Sequence, residues 1–277
     1  GSLMIYLYIR ILTYNEEIML IHPQLDPIAL QIGPLKLHWY GLMYFLAFLS
    51  FIYLGKKQLK KIWWSDINEK ILDDTFFYGA LGVIIGGRLG YVVFYQPNYY
   101  LSNLDQIFAF WQGGMSFHGG FLGVLISLIF VTRKYNISWL RLTDFIAPLI
   151  PLGLGFGRLG NFINQELWGR PTDLAWGMVF PITDKIARHP SQLYQALFEG
   201  LFLFLILYLY SNKKRATGSI SALFLIFYGL FRFLVEFTRE PDSFLGLFYL
   251  NLSMGQWLTI PMIGIGIGMF FVTKNKV

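Results

Sequence analysis

Runs of about 20 predominantly apolar residues recur along this chain, and they restrict its fold more than any other feature. A helix of that length spans the hydrocarbon core of a bilayer, and it satisfies its own backbone polar groups there. The runs predict helices near residues 37–55, 76–95, 117–132, 143–163, 192–210, 219–237 and 252–272. The expected fold is therefore an all-α membrane protein, a bundle of about seven transmembrane helices with a small loop region on its outer side. Composition agrees: 55% of the 277 residues are hydrophobic and 14% charged, whereas a soluble domain is charged at about a quarter of its positions. No polar stretch of domain size interrupts the helices, so residues 22–277 read as one transmembrane domain behind an N-terminal extension, residues 1–21. Within that extension Gly1-Ser2 resembles a tag scar, and Met19 reads as a natural start. Met4–Ile18 is too short for a signal peptide and lacks a small-residue cleavage site. Two copies of GRLG, around Arg88 and Arg158, are too few to define a repeat.

The net charge of +6 does not form a nucleic-acid-binding stripe, because the basic residues fall in short clusters between apolar runs. Those clusters set the orientation. One set of loops holds Lys56, Lys57, Lys60, Lys61, Arg133, Lys134, Arg141, Lys213, Lys214, Arg215, Lys274 and Lys276. The opposite set has no Lys or Arg from Gln96 to Ser116, then Arg170, Lys185, Arg188 and Arg239, with Arg10 and Lys36 before the first run. The N-terminus is thus expected outside, periplasmic in a bacterium, and the C-terminus in the cytoplasm. The chain has no cysteine, which excludes disulfides, Cys-ligated metal and a cysteine nucleophile of its own. Its four His show no ligand spacing, so no metal site is expected.

A charge at mid-bilayer costs roughly 2.5–3.5 kcal/mol on insertion scales, so each one needs a partner or a purpose. Apart from His38 at the edge of the first run, the charges and His within the runs are Arg88, His118, Asp144, Arg158, Glu199, Arg232 and Glu236. Counting helical rise from the basic loops puts nearly all of them in the outer half of the bilayer. Asp144 falls near an inner end, where it can serve as a helix N-cap. In the sixth run Tyr228, Arg232, Glu236 and Arg239 have the spacing of one helix face. A bare internal ion pair explains Arg232 with Glu236, but not a second Arg and a Tyr beside them. Several arginines with Asn and Tyr suit an anionic phospholipid head group, since guanidinium holds phosphate oxygens in paired, charge-assisted bonds. The glycines of GGMSFHGG, Gly113–Gly120, have a competing role in helix packing. His118 is the only His placed inside a run away from its edge loops.

GRLGNFINQELWG, Gly157–Gly169, resembles the signature of the prolipoprotein diacylglyceryl transferase family. So, in order, do LHWYGLMY (37–44), GGRLGYVVFY (86–95), GGMSFHGG (113–120), RHPSQLYQALFEG (188–200), YGLFRFLVEFTREPD (228–242) and SMGQWLTIPM (253–262). The resemblance implies a multi-pass bacterial inner-membrane enzyme whose site faces the periplasmic leaflet. Its partners are phosphatidylglycerol and prolipoproteins carrying a lipobox cysteine, and it needs no cofactor, metal or nucleic acid. It moves the diacylglyceryl group onto the lipobox thiol and leaves glycerol 1-phosphate. Carried over by position, the catalytic residues are His118, Arg158, Glu166 and Arg239; the lipid is bound by Arg158, Asn161, Tyr40, Gly169, Tyr228, Arg232 and Glu236. Arg158 and Arg239 suit the phosphate, and Arg232 with Glu236 shapes the pocket. Asn161 fixes the head group. Glu166 holds Arg158 or Arg170 or moves a proton, and His118 is the candidate base. Many relatives carry Glu where this chain has Gln195, which leaves Glu199 one turn later with a structural task. A secondary transporter would place its site near the midplane between inverted repeats, and neither is visible. An intramembrane protease would need a GxSG serine or paired Asp, and neither pattern occurs.

Overall fold

Helices form where the apolar runs lie. The computed structural model describes residues 11–14, 17–109, 113–240 and 252–274. The long helices are α1 (Trp39–Leu59), α2 (Glu69–Phe94), α4 (Phe117–Tyr135), α6 (Pro151–Ile163), α9 (Ser219–Glu236) and α10 (Met254–Lys274). Shorter ones are α3 (Pro97–Ser102), α5 (Trp139–Ile146), α7 (Ser191–Gln195) and α8 (Leu203–Tyr210), the last two joined through a π-helical stretch, Ala196–Phe202. Among the described residues four stretches are long and apolar enough to cross a membrane: α2, Ser191–Tyr210, α9 and Met254–Thr273. His118–Tyr135 with Trp139–Leu149, bent by 118°, gives a fifth if the two count as one span.

Two expectations need correction. The run at 143–163 is not one helix: it breaks at Ala147–Leu149, where Pro148 and Pro151 lack the N–H that a continuous helix requires. The first piece already begins at Trp139, so buried Asp144 lies inside α5 and is no N-cap. Nor is the fold purely α. Strands β1 (Ile11–Tyr14), β2 (Glu17–Ile21), β5 (Met178–Val179) and β6 (Ala187–Arg188) form one sheet in the order β1-β2-β5-β6. A separate hairpin pairs β3 (Ile28–Ile32) with β4 (Leu35–His38). These segments are too short to span, and pairing satisfies their backbone instead. Part of the presumed extension is thus paired, since β2 runs through Met19 and lies parallel to β5.

The chain packs as two units, residues 52–146 and residues 1–51 with 147–277. In the first, α2 and α4 meet through glycine. A Cβ on Gly119 would overlap the Gly86 carbonyl, and one on Gly123 the Gly82 carbonyl. Such contact brings two membrane helices together without side chains between them. Ser127 adds a hydrogen bond to the Tyr78 carbonyl at 2.7 Å. Arg88 is buried and donates to the carbonyls of Ile107 (2.9 Å), Gln106 (2.7 Å) and Gly113, so its charge organises backbone. Ser116 caps α4 by accepting from Gly119 N, which fixes the start of the helix that carries His118.

In the second unit α6, the α7–α8 helix and α9 pack together, with α10 along α9. Gly155 and Gly200 let α6 and the π-helical stretch touch: a Cβ on Gly200 would lie 2.7 Å from the Gly155 Cα. Buried His22 holds the end of α6, its Nε2 2.8 Å from the Phe162 carbonyl. Gln24 N–H donates to His22 Nδ1 at 3.1 Å, so the ring is a neutral Nε2–H tautomer, and burial lowers its pKa accordingly.

Candidate functional site

Five charged side chains of the second unit, two of them on α9, make one continuous row. Arg158 on α6 lies 3.8 Å from Glu199 on the π-helical stretch, and Arg232 on α9 lies 3.6 Å from the other Glu199 oxygen. Arg232 pairs one turn along its helix with Glu236 at 2.9 Å, and Glu236 reaches Arg239 at 3.5 Å. Three arginines alternate with two glutamates, which leaves one positive charge in excess. The glutamates are the deepest members, with side chains 1% and 4% exposed, and Arg158 the most open at 24%. Buried carboxylates between guanidiniums are tolerable because each charge has a counter-charge, and removing any one would strand its neighbour.

Local sequence explains this convergence. Positions 232 and 236 share a face of α9, and Ser253 Oγ anchors the Glu236 carboxylate at 3.1 Å. Gly255 leaves room for it, since a Cβ there would sit 3.2 Å from Glu236 Oε1. Arg239 was expected on the same helix face, but α9 ends at Glu236. Arg239 instead follows a turn and bridges to Gly169 as an isolated antiparallel pair. Gly169 is forced by space: a Cβ there would stand 2.5 Å from the carbonyls of both His189 and Thr238. Arg170 Nε donates to the Arg239 carbonyl at 2.8 Å, so the loop after α6 is tied to the segment after α9.

The loop after α6 turns through two residues with positive φ, Gln165 and Leu167, both at 56°. That turn aims Glu166 back at α6. Glu166 was expected to hold Arg158 or Arg170, yet its oxygens accept from Asn161 Nδ2 at 3.0 Å and Asn164 Nδ2 at 3.4 Å. The amides win because the turn returns the carboxylate to the helix that carries them. Asn161 is buried beside Gly160, which gives space to the Tyr40 ring of α1: a Cβ on Gly160 would lie 3.0 Å from Tyr40 Cδ2. Tyr228 precedes Arg232 by one turn on α9 and stacks on Phe224 with ring centroids 5.6 Å apart.

Nine of the ten residues singled out from the sequence therefore lie in the unit that carries the charge row. His118 belongs to the other unit, second residue of α4, with an exposed side chain. Sequence reading undervalued Glu199, which is the centre of the row; its signal was a charge inside an apolar run. It also missed Gln192, whose Nε2 donates to the Glu166 carbonyl at 2.6 Å. Buried Gln195 has neither amide atom hydrogen-bonded among the described residues.

The family described as "Prolipoprotein diacylglyceryl transferase" matches residues 27–272. A phosphatidylglycerol–prolipoprotein diacylglyceryl transferase of Methylobacillus flagellatus is 58% identical over 261 residues, 93% of this chain and 100% of the relative. The protein of the same name from Nitrosomonas europaea is 58% identical over 254 residues, 91% of each chain. One from Bordetella parapertussis is 56% identical over 258 residues, 93% of this chain and 98% of the relative.

Proposed function

The chain belongs to the prolipoprotein diacylglyceryl transferase family and is a multi-pass bacterial membrane transferase that moves diacylglyceryl from phosphatidylglycerol to prolipoprotein; from that premise we propose how its residues divide the reaction. The lipobox thiol attacks the glycerol carbon of the lipid. A C–S bond forms, the C–O bond to phosphate breaks, and glycerol 1-phosphate leaves with the electron pair. The thiol proton passes to a base or to water. The barrier falls when charge developing on the departing phosphate is met by fixed cations in a site with little water.

What supports this reading is the row Arg158–Glu199–Arg232–Glu236–Arg239, with its excess positive charge. Arg158 and Arg239 bind the phosphate and stabilise its departure. Arg232, paired to Glu236, shapes the pocket and contacts the phosphate from α9. Asn161, held by Glu166, orients the glycerol hydroxyls together with Tyr40 and Tyr228. Gly169 brings the loop after α6 against Arg239. The thiol is activated either by His118 as base or by the arginine field, which favours thiolate; a pH–rate profile of His118→Gln separates the two. The scheme uses no cofactor.

The membrane arrangement is part of the proposal. All seven apolar runs cross, residues 22–277 form the transferase domain, and residues 1–21 are an extension. The N-terminus and the site face the periplasm, the C-terminus the cytoplasm. The test is thioether formation by purified protein in phosphatidylglycerol vesicles, with a lipobox peptide as acceptor. Arg158→Ala should fold and lose about 100-fold or more in kcat. Arg158→Lys should recover little, because ammonium lacks the planar fork. Turnover by Arg158→Ala at the unsubstituted rate would remove the phosphate assignment.

A further inference from the structure

The scheme above leaves its most buried charge without a task. Glu199 stands between Arg158 and Arg232, 1% exposed, at 3.8 and 3.6 Å, beyond hydrogen-bond length. Neither of its oxygens has a hydrogen-bond partner among the described residues, and Arg232 Nη1, which faces it, has none either. Glu236 differs at one oxygen, Oε1, which accepts hydrogen bonds, while its Oε2 accepts none among the described residues. It sits 2.9 Å from Arg232 Nη2 and is fastened by the Ser253 hydroxyl. One carboxylate of the row is anchored, then, and the other is only near its arginines.

Backbone geometry keeps it near. Glu199 lies in a π-helical stretch, where the widened turn re-aims side chains relative to an α-helix. The next residue, Gly200, is in backbone contact with Gly155 of α6. The main chain at 199 is therefore clamped against the helix that bears Arg158, and the carboxylate has little freedom to withdraw.

We propose that Glu199 is an anionic placeholder for the lipid phosphate: a positioning residue that keeps Arg158 and Arg232 in register when the seat is empty, yields their N–H donors to the arriving phosphate, and then speeds the release of the product. This rests on the assignment of those two arginines to the phosphate. The physical reason is charge balance. With Glu199 the row carries one excess positive charge, enough to hold a phosphodiester monoanion. Without it the excess is two, and the product, a phosphomonoester of higher charge, is held too tightly.

The inference makes Glu199→Gln a variant that binds better and turns over worse. In phosphatidylglycerol vesicles its inhibition constant for glycerol 1-phosphate should fall at least about tenfold, with KM for the lipid and kcat both lowered. Glu199→Asp keeps the charge but retracts it by one methylene, so its inhibition constant should fall by a smaller factor, about threefold. A residue that only supports the fold would lower kcat or thermal stability and leave product affinity unchanged or weaker; that result in either variant overturns the inference. Should the Gln variant not fold, the Asp variant decides alone. Arg158→Ala serves as the reference for the underlying assignment. If it binds glycerol 1-phosphate as tightly as the unsubstituted protein, the phosphate seat itself is wrong; if it weakens product binding while the Glu199 variants do not tighten it, only the placeholder is.

Discussion

At the scale of single residues, the site is a set of charges that cannot be changed one at a time. Arg232 lies between two buried glutamates and Glu236 between two arginines. Breaking a buried pair by removing one partner costs about 3–5 kcal/mol, because the survivor is left unpaired. Arg232→Gln and Glu236→Gln should each lower thermal stability by that order, and the double variant by less than the sum. Lipid transfer should stay lost in the double variant, since the phosphate contact from α9 is gone; a double variant that regained both would reduce the pair to a structural staple. His22 offers a second residue-scale test. Its folded pKa lies below the ordinary 6.5 because burial penalises the charged ring by more than the Phe162 carbonyl favours it. The unfolded chain therefore binds the extra proton first. The stability His22 contributes is complete above 6.5 and declines as pH falls below that value. Thermal melts at about pH 7.5 and about pH 5, on either side of the unfolded pKa, should show a drop that His22→Gln lacks.

At the scale of elements, glycine decides how closely helices approach. Gly119 on α4 meets the backbone of α2 at Gly86 and Gly90, so Gly119→Val should force the two helices apart. Lost packing of this kind costs on the order of 1–3 kcal/mol. Gly79 on α2 faces open space, and Gly79→Ala should be close to neutral. Equal melting points for the two variants in detergent would show that the α2–α4 contact carries no stability. Gly169 belongs to the same argument on a loop. Two carbonyls block any side chain there, so Gly169→Ala should displace the segment that bridges to Arg239 and reduce transfer even where the melting point is little changed.

At the scale of the whole molecule, the open matter is sidedness. With the basic clusters in the cytoplasm, a cysteine at Ser102 should react with an impermeant thiol reagent in intact spheroplasts, and one at Asn212 should not. The chain has no native cysteine, so the signal from each substitution is unambiguous. Labelling only at Asn212 would invert the topology and move the chemistry to the inner leaflet.

The helices were legible because an apolar run of membrane length has one way to satisfy its backbone. Helix forms in every run, although the one at 143–163 is broken and, among the described residues, four or five stretches are long and apolar enough to cross. The pairing of Arg232 with Glu236 was legible too, since one helical turn separates them. Family signatures gave the chemistry. Tertiary structure alone decided the rest. The break of the fourth run was written locally, in Pro148 and Pro151, but the pairing of β2 with β5 and the bridge from Arg239 to Gly169 depend on partners distant in sequence. Glu166 turned to Asn161 and Asn164 because a left-handed turn reverses the chain, and no residue spacing encodes that reversal. Glu199 became the centre of the charge row because its partners sit on two other helices, within 4 Å, and the Gly155–Gly200 contact that seats its stretch against α6 is not revealed by periodicity. Local sequence fixes which face of a helix is polar; only packing fixes which faces meet.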